Sequence, residues 1–287
     1  MAGQHPEVAF DVALSGSARR RARSLSLGIA GFRIGFKSDS PGIISLLGRR
    51  YGRFSGNDGG DYSFSVSAAP GKQTPFRPSV LWTGRELRIS RGDFRAVLDA
   101  DAGIGNLFAS AKEQCLDAFL RSLLSVLLLR DGGLMLHSAG LVKAGRAYVF
   151  IGKSGAGKST LSRLAAASGL AEVVSDEINM LRPVNGNWRV YGSPFWGEMR
   201  AEGRPGSWPL GGVYLLGKSA ENSVSSCGRG ETLRALLRCL LNFEKGGPAA
   251  ERILDVSFDL LAGTCLRRFE FSKRDASFMG LLGRGAS

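Results

Sequence analysis

Residues 152–159 read Gly-Lys-Ser-Gly-Ala-Gly-Lys-Ser and fit the phosphate-loop pattern G-x-x-x-x-G-K-[ST] at every fixed position. Each residue type has a job there. The glycines let the backbone turn tightly and point its N–H groups at phosphate oxygens. Lys158 is long enough to reach the β- and γ-phosphates, and the Ser159 hydroxyl is a ligand for Mg²⁺. The expected nucleotide-binding set is Gly152, Lys153, Ser154, Gly155, Ala156, Gly157, Lys158, Ser159 and Thr160. The bound species would be a nucleoside triphosphate.

A phosphate loop alone does not separate kinases from other nucleotide-binding proteins. A second acidic site is needed, and Val173-Val174-Ser175-Asp176-Glu177 supplies one, with Asp176 lying 18 residues after Lys158. That interval holds one helix and one turn, so the acids can return beside the loop. Two adjacent carboxylates allow one to support a metal while the other takes the proton of an acceptor hydroxyl. The sequence leaves open which does which.

The surrounding segments have the patterns needed to position these groups. Ala147–Ile151 reads as a buried strand leading into the loop, and Leu161, Leu164 and Ala165 continue beyond it at helical spacing. Leu134–His137 and Gly140–Lys143 read as short strands, and Lys112–Arg130 as a helix. Gly212–Gly217 reads as a strand, and Glu231–Phe243 as an amphipathic helix. Earlier residues alternate as strands: Val8–Leu14, Leu25–Phe36 broken by a glycine, Tyr62–Ser67, and a hairpin around Thr83-Gly84. Pro41–Arg50 reads as a helix, and Phe54–Asp61 and Ala69–Pro78 as loops. The pattern changes near residues 100–111. The expected division is a β-rich accessory lobe over 1–104 and an α/β domain over 105–287.

With the loop, the acids and the upstream His137 in place, LHSAGLVKAGRAYVFIGKSGAGKSTL followed by VVSDEINML resembles the C-terminal half of HPr kinase/phosphorylase. It is more similar still to the HPr-kinase-like proteins of modified-peptide clusters, including kinases that phosphorylate a serine of lasso-peptide precursors. The resemblance covers residues 134–200 well and 205–275 loosely; the first hundred residues do not match that enzyme's N-terminal domain. It implies an α/β fold of the phosphoenolpyruvate carboxykinase type, with the phosphate loop on a mixed sheet. It also implies a Mg²⁺- and ATP-dependent kinase acting on a hydroxyl, a serine of a peptide or small protein. The implied catalytic residues are Asp176, Glu177, His137 and Lys158, and the implied Mg²⁺ ligands are Ser159, Glu177 and Glu198. The other readings of the same core are a small-molecule kinase, with free serine as an example, and a regulatory nucleotidase that transfers to no acceptor.

Further residues carry weaker expectations. Lys218 and Arg204 are candidates for neutralising phosphate charge in the transition state. Phe195 and Trp196 would pack a loop over the site or stack on something, with core packing the preferred reading. His5 lies in the N-terminal tail, away from the chemistry.

Composition bounds the rest. The chain has 287 residues with 44% hydrophobic and 22% charged, ordinary for a globular protein, and a formal net charge of +13 that favours anionic partners. Two basic clusters, Arg19-Arg20-Arg21 with Arg23 and Arg49-Arg50 with Arg53, read as solvated surface or as docking for an acidic peptide. No nucleic-acid reader motif accompanies them. Four scattered cysteines lack metal-site spacing and suit a reducing, cytoplasmic setting. The leucine-rich run 123–129 makes only about two helical turns, far short of the roughly 20 residues of a membrane span. Oligomeric state is left open, with a homo-oligomer compatible.

Overall fold

The structure, a computed structural model, describes residues 22–56 and 60–283. The expected strand Val8–Leu14, the Arg19-Arg20-Arg21 run and His5 lie outside the described residues. The chain is a mixed α/β protein with two sheets of mixed strand orientation and a β-rich N-terminal region.

The first sheet begins with β1 (Arg23–Ile29) and β2 (Phe32–Ser38), joined by a tight turn in which Ala30 and Gly31 both take positive φ. Helix α1 (Pro41–Tyr51) starts on a proline, whose fixed φ and missing N–H suit a first turn. It crosses to β3 (Tyr62–Ala68), which lies parallel to β2. A meander follows through β4 (Ser79–Thr83), β5 (Glu86–Arg91), β6 (Phe94–Asp99) and β7 (Ile104–Ala109). The strand order is β1-β2-β3-β7-β6-β5-β4, and β7 runs parallel to β3. The sheet therefore continues to Ala109, across the division expected at residue 104.

Helix α2 (Glu113–Arg130) binds the two halves together. Phe119 packs edge-on against Phe36, Phe64 and Phe94 of the first sheet. The same apolar cluster extends to Met135, Ile178, Met180 and Phe195 of the second half. One continuous core thus spans both regions.

The second half comprises β8 (Leu134–His137), β9 (Ala139–Lys143), β10 (Arg146–Ile151), α3 (Lys158–Ser168), β11 (Glu172–Ser175), β12 (Ile178–Val184) and β13 (Asn187–Tyr191). There follow β14 (Ser207–Lys218), β15 (Ser223–Ser226), α4 (Arg229–Cys239), α5 (Gly247–Ala262) and β16 (Leu266–Phe271). The strand order is β11-β9-β10-β14-β13-β12-β8, with β16 and β15 added beside β14. The helix expected over Glu231–Phe243 begins two residues earlier and stops at Cys239. Leu240 turns extended there and joins β8 through Leu136, while the Leu241 N–H donates to the Met135 carbonyl. A sheet edge overrides the helical pattern.

Strand direction matters most for function. β10, β14 and β16 are mutually parallel, and β11 points the same way because both it and β10 are antiparallel to β9. The ends of these four strands, at Ile151, Lys218, Phe271 and Ser175, therefore lie along one edge, where ligands of α/β sheets bind. Among the described residues no helix is long and apolar enough to cross a membrane.

Candidate functional site

β10 is buried on both faces, with Val149 and Ile151 in one cluster and Tyr148 and Phe150 in another. It delivers the glycine loop to the edge as a rigid post. The loop closes through the Ala156 N–H, which donates to the Lys153 carbonyl at 3.0 Å. Gly155 and Gly157 sit at φ of 77° and 106°, a region L-residues rarely adopt. Helix α3 then begins with no side-chain cap and no acid in its first turn, so its positive end faces the loop undiluted. Leu161 and Ala165 fix the helix against Ala139, Leu141 and Phe150.

Lys158 is 7% exposed, and its ammonium donates to the carbonyls of Gly152 at 3.0 Å and Lys153 at 3.4 Å. Burial lowers its pKa, against a raising influence of Cys239. The loop thus holds its cation at its own mouth.

The two acids follow β11 in a turn built by Ser175, whose hydroxyl accepts the N–H groups of Glu177 at 3.1 Å and Ile178 at 3.0 Å. Asp176 is buried and accepts the backbone N–H of Gly197 at 3.2 Å and of Met199 at 3.0 Å. These bonds fasten the segment 192–206 over the acids. Gly197 has to be glycine: a Cβ there would lie 2.8 Å from the Glu177 Cβ and 3.0 Å from an Asp176 oxygen. Glu177 is gripped at both oxygens by Arg121 of α2.

His137 ends β8 directly opposite Ile178, and the next N–H, that of Ser138, donates to the Glu177 carbonyl at 3.0 Å. Asn179 locks this junction by donating to the Ser138 carbonyl at 2.8 Å and hydroxyl at 3.0 Å. Burial and then the nearby Lys158 charge hold the His137 pKa below its ordinary value, while Glu177 and Asp176 pull the other way. His137, Lys158, Asp176 and Glu177, chosen from sequence, therefore form one electrostatic neighbourhood.

The remaining candidates fall differently. Glu198 pairs with Arg163 at 2.9 Å on the exposed side of α3, and Arg163 also donates to the Ser159 carbonyl at 3.3 Å. Arg204 is paired with Glu172 at the far end of β11, a strand length from Asp176. Lys218 lies across the loop, its Cε 3.3 Å from where a Gly157 Cβ would be. Phe195 is fully buried beneath Arg121, and the Trp196 ring lies 3.7 Å from the Arg50 guanidinium carbon.

Arg50 corrects the expected basic surface cluster. Its side chain is 2% exposed and meets Glu113 at 2.9 Å, Asp117 at 3.5 Å and Glu202 at 3.0 Å, and it donates to the Pro194 carbonyl at 2.9 Å. Arg49 and Arg53 remain exposed. Sequence reasoning also missed Arg121, because nothing local to Arg121 distinguishes it from other helix arginines. Of the four cysteines, all free, Cys115 and Cys239 are buried, and burial pushes the Cys115 thiol up to about 12.

Among the described residues no group of three or more His, Cys, Asp or Glu side chains converges on a metal position. The oxygen donors of this region are the Ser159 hydroxyl and the carboxylates of Asp176 and Glu177, which accept the Gly197 and Met199 N–H groups and Arg121. Such a sparse set suits Mg²⁺, which keeps several waters and takes phosphate oxygens for its other positions. No protein-family model matches the chain, and no curated protein matches it.

Proposed function

We propose that the chain is a Mg²⁺- and ATP-dependent kinase that moves the γ-phosphoryl group to a hydroxyl, a serine on a peptide or small protein. The observation that carries this reading is the convergence of the glycine loop, Lys158, His137 and the Asp176–Glu177 pair at one sheet edge. A protein that merely held a nucleotide would need the loop but not the tethered acids and neutral imidazole.

In this reading the loop amides and the positive end of α3 bind the phosphates, and Lys158 neutralises charge on the transferred group. Ser159 with one of the two acids would hold Mg²⁺, which offsets charge on the phosphate oxygens when bound. The acceptor oxygen forms a bond to the γ-phosphorus as the bond to the β–γ bridging oxygen breaks, and ADP leaves. The other acid takes the acceptor proton, a contribution of roughly 10²–10⁴-fold. His137, kept neutral, is available to accept or return that proton beside it. In this reading segment 192–206, fastened by Asp176, would cover the acceptor side. The net charge of +13 favours acidic acceptor peptides.

Calorimetry with Mg²⁺–ATP on the wild type and on Lys158→Ala tests the donor site. Binding lost in the variant is expected, and unchanged binding would remove Lys158 from it. ADP formation supported by free serine, without peptide, would favour the small-molecule reading.

A further inference from the structure

The glycine loop has two unlike walls. Asp176 and Glu177 follow β11 on one side, with His137 held next to Glu177 through the Ser138 N–H; on the other side β14 ends in Lys218, beside the end of β16. Lys218 is the last residue of β14 and pairs in register with Phe271, the last of β16, and Lys273 follows two residues later. The Ser219 N–H donates to the Phe271 carbonyl at 3.1 Å and holds the two chain ends side by side. Phe271 and Lys218 both press on Gly157, where a Cβ would lie 2.9 Å from the ring and 3.3 Å from the lysine Cε.

Lys273 lies near enough to Lys218 for its charge to lower the Lys218 pKa. Among the described residues neither is ion-paired to an acid. Two like charges brought together at a loop of backbone donors repel, unless an anion lies between them and turns the repulsion into attraction. Compact ammonium groups are well suited to phosphate oxygens.

We propose that Lys218 and Lys273 clamp the α- and β-phosphates, those that are not transferred, on the wall opposite the acids. The inference rests on the kinase reading above. In that reading the γ-phosphoryl group has to face Asp176, Glu177 and His137 to meet an acceptor hydroxyl. The rest of the triphosphate then runs towards the lysine wall. The pair is thereby a ground-state anchor shared by ATP and ADP, a role different from the transition-state one expected for Lys218.

The test is calorimetric titration of Lys218→Ala, Lys273→Ala and the double variant with Mg²⁺–ATP and Mg²⁺–ADP. Each single variant should weaken both nucleotides by the same factor, about tenfold, and Lys218→Arg should restore most of the loss. Weakened ATP with unchanged ADP would overturn the assignment by placing the pair on the γ-phosphate. Unchanged affinity for both, or a change confined to the peptide KM, would also overturn it while leaving the kinase reading intact. Wild-type protein that binds neither nucleotide would refute that reading and the clamp with it.

Discussion

Arg121 meets Glu177 through two parallel contacts, 3.1 Å and 3.0 Å long, with both side chains more than two-thirds buried. The fork fixes a carboxylate of the candidate site from a helix that also carries the inter-sheet core. Arg121→Ala should therefore lower the phosphorylation rate by one to two orders of magnitude while nucleotide affinity changes little. Arg121→Lys should recover only part of the rate, because a point charge cannot reproduce the fork. Rate constants and ATP affinity measured on the same preparations check this. An Arg121→Ala variant at full rate would dismiss the fork as structural.

Arg50 stands among Glu113, Asp117 and Glu202 with its side chain almost wholly buried. Burial raises the Glu202 pKa, and Arg50 opposes that rise. Removing the guanidinium leaves three carboxylates close together without their cation. Arg50→Ala should cost about 3–5 kcal/mol of stability, read from urea unfolding. Arg50→Met, which keeps the apolar stem over Trp196, should cost less. A loss within experimental error for both would show that the network contributes no net stability.

Gly197 touches both acids, so Gly197→Ala should push segment 192–206 away and break the two hydrogen bonds that the Gly197 and Met199 N–H groups donate to Asp176. Transfer should fall by about tenfold or more, the effect of misplacing a group near the chemistry. Hydrogen exchange at the Gly197 and Met199 amides should speed up in parallel. Unaltered exchange would mean the loop accommodates the methyl.

The depressed pKa of His137 gives a signed pH prediction. The unfolded chain binds this proton near the ordinary value of about 6.5, and the folded chain binds it only at lower pH. Stability should rise with pH through the window from the lowered value to the ordinary one. Below the lowered value this contribution is lost, and above the ordinary one it is fully present. His137→Gln should remove that part of the slope on the acid side of the ordinary histidine value. Urea midpoints across the window measure it, and an identical slope in the variant would contradict the assignment.

Much of the site was legible because its signals are local. The phosphate loop is contiguous, and Val173–Glu177 announces its own strand and turn. His137 was found only through resemblance, and it does sit one residue from the Ser138–Glu177 contact. The partners that arrive from far along the chain were not legible. Arg121 reaches Glu177 across 56 positions and Arg50 reaches Glu202 across 152. Arg50 even looked like surface, since three arginines within five residues usually signal solvent. The strands β12 and β13 and the helix α5 also escaped notice. Residues such as Arg182 and Trp188 interrupt the simple period in the hairpin, and α5 begins within a glycine pair, Gly246-Gly247, that reads as loop. The overall class was readable, a mixed α/β chain with a β-rich beginning, but the nine-stranded order depends on pairings between distant segments.

The central claim is transfer to a hydroxyl, and the fate of the γ-phosphate of labelled ATP tests it most directly. Acidic serine-containing peptides should be incubated with the protein and Mg²⁺, and the label followed into peptide and into free phosphate. The account predicts label on a serine with the wild type, and loss of that transfer with retained ATP binding in Asp176→Asn. Label released entirely as inorganic phosphate, at the same rate with and without peptide, would contradict it.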